Sequence, residues 1–288
     1  MLVFATSQIR YHVPEHGIVG RDFPALSITG SYCALKCRHC YGRILERMIP
    51  APTPERLVEV CRRLVEEGAR GVLISGGSNP AGEVPFEPFA EALKEIKRMG
   101  LKVYMHTGIV DEERARLLKE CGVDMVLYDV VSSDMTAVEI MGLEGASRFL
   151  EGLRALLEAG VEVAPHVVVG LGGEREAVDS IADAGCRGAV LVVFTPYPGT
   201  PMESAAPPPP SEVISVLEYA RARIGGPLSL GCMRPRGPEY LRVEKAAIDL
   251  GFEGIAFPSK DALDYLAERG GFEVVHECCA SVLSLARR

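Results

Sequence analysis

Nowhere does this sequence hold about 18 consecutive uncharged apolar residues, the length a helix needs to cross a bilayer, so no membrane span is expected. It also lacks a basic start. The opening Met1-Leu2-Val3-Phe4-Ala5-Thr6 is apolar but short, and polar residues follow at once, which is not the build of a signal peptide. Basic charge is in deficit: Lys and Arg number 31 against 39 Asp and Glu, a net charge of -8. Broad binding to a nucleic-acid backbone relies on the opposite balance, although a local basic pocket is compatible with this one. Nine cysteines without an export signal read as metal ligands and buried thiols, not as a disulfide framework. The expectation is a protein of reducing, cytoplasmic surroundings, bound to neither membrane nor nucleic acid.

What is present is a repeating alternation. The chain has 288 residues, 48% of them hydrophobic, enough for a sizeable core. From residue 25 onward, short apolar runs alternate with amphipathic stretches. Strands are expected near 25–29, 71–75, 102–106, 124–129, 162–169, 188–194, 227–231 and 253–257. Runs such as Val190-Leu191-Val192-Val193-Phe194 suit strands buried on both faces. Thr53-Pro54-Glu55, Asp111 before Glu112-Glu113, and Ser211 before Glu212 mark helix starts. Gly68, Gly100, Gly122 and Gly160 stand where helices should stop. Eight strand–helix units predict an α/β fold of the (β/α)8 TIM-barrel type over residues 25–270. Residues 1–24 read as an N-terminal extension and 271–288 as a C-terminal tail. Pro207-Pro208-Pro209-Pro210 reads as a stiff spacer after the sixth strand.

The strongest chemical signal is Cys33-Ala34-Leu35-Lys36-Cys37-Arg38-His39-Cys40. The thiols are spaced four and then three residues apart, so one loop can wrap three corners of an iron–sulfur cubane. The loop follows the first strand, at the carboxyl end of the barrel, where such folds place their chemistry. Three cysteines for four irons leave one iron open to a chelating ligand. A zinc site is the competing reading, but structural zinc wants four protein ligands, and His39, between Cys37 and Cys40, is poorly spaced to be the fourth.

The pattern CxxxCxxC resembles the signature of the radical S-adenosylmethionine (SAM) superfamily, and the resemblance extends roughly over residues 25–260. His39 stands where that family usually has an aromatic residue beside adenine. Ser75-Gly76-Gly77-Ser78, after the second expected strand, is similar to the family's glycine-rich strand end that holds the methionine amino group; Ser78 replaces the Glu often found there. Glycine suits a place where backbone must approach a ligand. Asp129, at a strand end, is expected to contact the ribose. His106 and His166, at strand ends of the same mouth, are expected to touch substrate or cofactor, and Gly170-Leu171-Gly172-Gly173-Glu174 resembles an element lining the adenine site. It lacks the GxGxxG spacing of a dinucleotide fingerprint.

Within the superfamily, the chain is most similar to the biotin synthase and lipoyl synthase branch, and most like an archaeal-type lipoyl synthase component. The resemblance implies a catalytic 4Fe–4S cluster at Cys33, Cys37 and Cys40, reductive cleavage of SAM, and hydrogen abstraction by a 5′-deoxyadenosyl radical. It further implies sulfur insertion into an octanoyl chain on a lipoyl-domain or carrier protein, a second radical SAM subunit, and an electron donor such as ferredoxin. Of the other cysteines, Cys61, Cys121 and Cys186 read as buried thiols in helices. Cys232 follows Gly231 at the seventh strand end, and Cys278-Cys279 lie in the tail; together they are candidates to hold a second, auxiliary cluster. Adjacent cysteines are awkward ligands because successive strand side chains face opposite ways, and the bacterial lipoyl synthase triad CxxxxCxxxxxC is missing. An isomerase or metallocofactor maturase without a second cluster stays open, as does a non-enzymatic iron–sulfur protein.

Overall fold

A computed structural model describes residues 1–5, 12–13, 18–19 and 22–286. Its frame is one curled, wholly parallel sheet. The strands are β1 (Leu2–Phe4), β4 (Ala25–Ser27), β5 (Ile49–Pro50), β6 (Gly71–Ser75), β7 (Lys102–His106), β8 (Met125–Asp129), β9 (Val163–Val169), β10 (Ala189–Val193), β11 (Leu228–Leu230), β12 (Gly254–Ala256) and β13 (Glu273–Val275). They pair in the order β13-β1-β12-β11-β10-β9-β8-β7-β6-β4-β5, while β2 (His12–Val13) and β3 (Ile18–Val19) form a separate antiparallel ribbon. From β6 to β12 the strands pair in sequence order, as in a TIM-type barrel, with β4 beside β6 and β5 beyond it at the edge. All eight expected strands are present.

Helices cover the outer face: α1 (Pro54–Glu66), α2 (Ala90–Arg98), α3 (Glu112–Glu120), α4 (Ser147–Glu158), α5 (Glu174–Asp183), α6 (Pro210–Arg223), α7 (Leu241–Asp249) and α8 (Lys260–Glu268). The start signals work through hydrogen bonds. Thr53 Oγ1 accepts from Arg56 N at 3.2 Å, and Asp111 Oδ1 accepts from Arg114 N at 2.9 Å. Each satisfies a backbone N–H that the first turn leaves without a partner. Gly68, Gly100, Gly122 and Gly160 take positive φ just past their helices. α6 differs from expectation. It begins at Pro210, with Pro209 and not Ser211 as the flanking residue, because a ring with fixed φ and no N–H fits a first helical position. The apolar stripe of α1 (Leu57, Val60, Cys61, Leu64) is buried against the sheet, and truncating such a leucine to alanine costs about 2–5 kcal/mol.

The two chain ends are part of the sheet. β1 lies between β12 and β13, pairing Leu2, Val3 and Phe4 with Gly254, Ile255 and Ala256 on one side and with Glu273, Val274 and Val275 on the other. Past β13, Cys279–Ser281 form a buried turn leading into the short helix α9 (Val282–Leu285). Tyr104 Oη meets Ser281 Oγ at 3.0 Å, and Lys102 Nζ meets Glu277 Oε1 at 2.6 Å, tying this segment to β7. The structure thus packs the C-terminal stretch, which the sequence suggests is a tail, into the core. No helix among the described residues is long and apolar enough to cross a membrane.

Candidate active site

Because the sheet is parallel, every loop after a strand's carboxyl end opens on one rim. The loop after β4 carries the three spaced cysteines. Cys37 is buried, whereas Cys33 and Cys40 are half-buried. The loop is latched to the end of β6: Ala34 N and Leu35 N donate to Ser78 O at 2.9 and 3.2 Å, Gly77 N donates to Thr29 Oγ1 at 2.7 Å, and the Cys33 thiol points at Ser78 O at 3.9 Å. On its far side, Arg38 N donates to Ile140 O at 2.7 Å. Backbone strain marks the loop, since Lys36 and Tyr41 take φ of 45° and 50° without being glycine. The latch leaves no room at Gly77. A Cβ there would lie 2.0 Å from Tyr32 O and 2.5 Å from Cys33 Cα. Glycine at this strand end lets two backbones touch, one of them the cysteine loop.

The thiols are electrostatically unequal. A hydrogen bond from Cys37 is the largest influence on Cys40 and, with His39, brings its pKa down to about 4 against the opposing effect of burial. Cys37, giving that bond and buried beside two other thiols, is held far above the ordinary range. A ligand atom of His39 and the sulfurs of Cys37 and Cys40 all lie within 4.8 Å of one another; Cys33 is outside this group. His39 therefore sits closer to the thiols than its spacing suggests. Burial opposes its charge, but Cys40 and then Asp129 raise its pKa. Its Nδ1 is buried without a hydrogen-bond partner among the described residues, the kind of atom that a ligand's polar group can satisfy.

Beside this loop a cavity is lined by His39, Asp129, His166, Thr136, Gly172 and Glu174, among others. Three residues singled out from the sequence thus meet in one place. Asp129 has an exposed edge at the mouth, but the protein packed around its carboxyl group strips water from it and raises its pKa, with the charges of His166 and then His39 pulling the other way. Glu174 Oε1 accepts from Gly170 N at 2.6 Å and Gly172 N at 2.9 Å, and Thr136 Oγ1 donates to Leu171 O at 2.7 Å, so the 170–174 loop is pinned. Behind Asp129, the rings of His106 and His166 lie edge to face, 5.4 Å apart. Burial brings both pKa values down to about 4, and His166 Nδ1 lies 2.9 Å from Ala164 O. Both rings are therefore neutral near neutral pH. Thr29 and Thr136 escape a sequence reading because each acts through loop–loop contacts that no local spacing encodes.

A second group of thiols meets away from the loop. Cys232, on the loop after β11, neighbours Cys279, which follows Cys278 in the chain. The adjacent Cys279 thiol, then the poor hydration that the surrounding protein leaves its sulfur, raises Cys232 well above the usual thiol range although part of the residue reaches the surface. For Cys279 the Cys232 thiol acts downward, but the Cys278 thiol and burial outweigh it. Cys278 and Cys279 belong to the apolar core, and the three sulfurs do not all lie within 4.8 Å of one another.

Comparison with known proteins agrees with this geometry. Residues 27–184, more than half of the chain, match the family described as the Radical SAM superfamily. A biotin synthase from Bordetella avium (strain 197N) is 24% identical over 196 residues, covering 66% of this chain and 60% of that protein. Biotin synthase 2 from a Polaromonas species (strain JS666) is 27% identical over 222 residues, covering 71% and 62%. The chain thus spans about three-fifths of the length of these relatives. Methylornithine synthase shares the fold, with a TM-score of 0.60 at 16% identity over 88% of this chain and 84% of that one.

Proposed function

This chain belongs to the radical SAM superfamily, and from that premise we propose that it cleaves SAM reductively to activate an unreactive C–H bond, with sulfur insertion into an octanoyl chain as the outcome. The observation that carries the first part is convergence. The cysteine loop, the Ser75-Gly76-Gly77 strand end and the cavity of His39, Asp129 and His166 all open on one rim. The donor set suits a 4Fe–4S cluster, since three soft thiols on one loop are the usual ligands and a fourth iron is left for SAM. When bound, the cluster supplies the electron that splits SAM into methionine and a 5′-deoxyadenosyl radical.

The protein's own part is positioning and exclusion. The Thr29–Gly77 and Ser78–Ala34 bonds fix the cysteine loop against the strand end, so Cys33, Cys37 and Cys40 are held before any ligand arrives. Backbone at Gly76 and Gly77 receives the methionine amino group. His39 stands by the adenine, and Asp129 accepts hydrogen bonds from the ribose hydroxyls. His166 and His106, both neutral, line the interior as hydrogen-bond acceptors without adding charge. The apolar walls around them keep water and stray hydrogen donors from the radical.

Sulfur insertion is supported by the Cys232, Cys278 and Cys279 group, whose thiols would hold a second cluster as sulfur source, and by relatives named as biotin synthases, since biotin carries carbon–sulfur bonds. Iron and acid-labile sulfide per chain test this. About eight irons in anaerobically reconstituted protein, falling to about four when the three cysteines become Ala, are expected for two cubanes. About four in both proteins removes the sulfur-insertion reading and leaves an isomerase or maturase. The closeness of His39 to Cys37 and Cys40 favours one other reading, a zinc site. Zinc in place of iron, with no labile sulfide, would establish it.

A further inference from the structure

The carbonyl of Ser78 carries much of the grip on the cysteine loop. It accepts from Ala34 N at 2.9 Å and Leu35 N at 3.2 Å, and the Cys33 thiol points at it from 3.9 Å. The strand end it belongs to, Ser75-Gly76-Gly77-Ser78, has no charged side chain and two glycines, so little in those four residues fixes where the carbonyl points. What fixes it comes next in the chain. A peptide unit is planar and trans, so its C=O and the following N–H point opposite ways and turn together. The N–H that shares a plane with the Ser78 carbonyl is that of Asn79, and it donates to Glu83 O at 2.8 Å. Holding that N–H on one side aims the carbonyl at the cysteine loop on the other.

Asn79 and Glu83 close the turn between them. Asn79 Oδ1 accepts from Ala81 N at 2.9 Å and from Glu83 N at 3.0 Å, and Gly82 N donates to Asn79 O at 3.0 Å. A short amide side chain is suited to bonding the backbone just ahead of it. Asn79 Nδ2 donates to Glu83 Oε2 at 3.0 Å, so the two side chains also bond each other. The other carboxylate oxygen, Glu83 Oε1, accepts from Arg148 Nη2 at 2.7 Å, while Arg148 Nη1 donates to Ala81 O at 3.0 Å. Burial disfavours the charge of Glu83, yet its bonds from Asn79 and Arg148 bring its pKa below the usual carboxylate value. Arg148 stands in the first turn of α4. The far side of the turn is held by the end of β7, where Val84 N donates to Thr107 O and Ile109 N to Gly82 O, both at 2.9 Å. None of Asn79, Glu83 and Arg148 is among the residues lining the cavity of His39 and Asp129, so each acts on the site through another group.

We propose that Asn79 and Glu83, braced by Arg148, are positioning residues for the candidate active site: they orient the Ser78–Asn79 peptide, and through the Ser78 carbonyl they set where the Cys33 end of the cysteine loop stands against the Gly76-Gly77 strand end. The proposal rests on the reading above for what the loop and the strand end hold, a cluster and the methionine portion of SAM. Groups behind the ligands of a site decide how those ligands are aimed. Both backbone and both side-chain polar groups of Asn79 are bonded, so the bracket leaves it no loose donor or acceptor. An exchange of roles is the informative change. Asn79→Asp sets two carboxylates against each other where one bond stood, and like charges repel. Adding Glu83→Gln restores a donor–acceptor pair with its direction reversed. The introduced amide gives an N–H to the introduced carboxylate and keeps its oxygen for Arg148.

The test follows hydrogen exchange of the Ala34 and Leu35 amides, the donors to Ser78 O, by NMR on the whole chain without iron. Asn79→Asp should speed their exchange about tenfold while the amides of β8 stay as in wild type, and Asn79→Asp with Glu83→Gln should return it to within about twofold of wild type. Equal exchange in wild type and Asn79→Asp overturns the proposal. So does a double variant that exchanges as fast as the single one, or a speeding that β8 shares, which is general loosening. Reconstituted protein gives a second readout, the electron paramagnetic resonance spectrum of the reduced cluster before and after SAM is added. Asn79→Asp should diminish the change that SAM causes, and the double variant should recover it. If exchange behaves as expected but the wild-type spectrum ignores SAM, the positioning stands and the SAM reading falls. If the wild-type spectrum responds to SAM and exchange is equal in all three proteins, the SAM reading stands and the positioning falls.

Discussion

Gly77 shows how a single residue governs the site. Its missing side chain is what lets Tyr32 O and the Cys33 backbone lie against β6. Gly77→Ala therefore has to push backbone against backbone, an overpacking that costs about 1–3 kcal/mol. We expect less iron retained per chain after gel filtration, with overall helix content unchanged; iron retention equal to wild type would contradict the latch. The histidine pair makes a prediction about pH. Burial brings His106 and His166 from 6.5 to about 4, so between these values the unfolded chain binds more protons than the folded one. Stability then rises with pH across that window and is lost as pH falls from about 6.5 towards 4. Denaturant titrations at pH 5 and pH 7 should show that loss, and His106→Gln should reduce it. An equal loss in the variant would mean that other groups carry it. The cysteine spacing is legible from sequence because all three ligands share one loop. The His39–Asp129–His166 cavity is only partly so, since its members come from the cysteine loop, the end of β8 and the interior of β9, which the barrel brings together.

At the scale of elements, the loop after β11 is held by a buried ion pair. The Arg234 side chain is fully buried; its Nε donates to Glu244 Oε1 at 3.1 Å and its Nη1 to both Gly231 O and Ala256 O at 2.7 Å. Arg234→Leu strands Glu244 without its main partner, and removing one member of a buried pair costs about 3–5 kcal/mol. The denaturation midpoint should fall accordingly, and a shift under 1 kcal/mol would show that Arg236 or Ser259 takes over the carboxylate. The eight expected strands are legible because each is an apolar run bounded by turn residues. β1, β5 and β13 are not, because they fall outside the alternation of strand and helix and become strands only by pairing, β1 with β12 and β13 and β5 with β4. The same reason explains why the C-terminal stretch reads as a tail. Its packing depends on β1 and β7, which lie far away in sequence.

For the whole molecule, a parallel curled sheet puts the cysteine loop, the Ser75-Gly76-Gly77 strand end and Asp129 on one rim, and that placement is the core of the functional account. The sheet follows from the alternation of strands and helices, so the location of the site is readable before any coordinates. The substrate is not, because the interior is assembled from side chains on many strands whose neighbours only the fold defines. The most direct measurement is SAM cleavage by anaerobically reconstituted protein, reduced with dithionite and analysed for 5′-deoxyadenosine. The account predicts 5′-deoxyadenosine from wild type and none above background from the variant with Cys33, Cys37 and Cys40 all changed to Ala. Equal yields from the two proteins would contradict it.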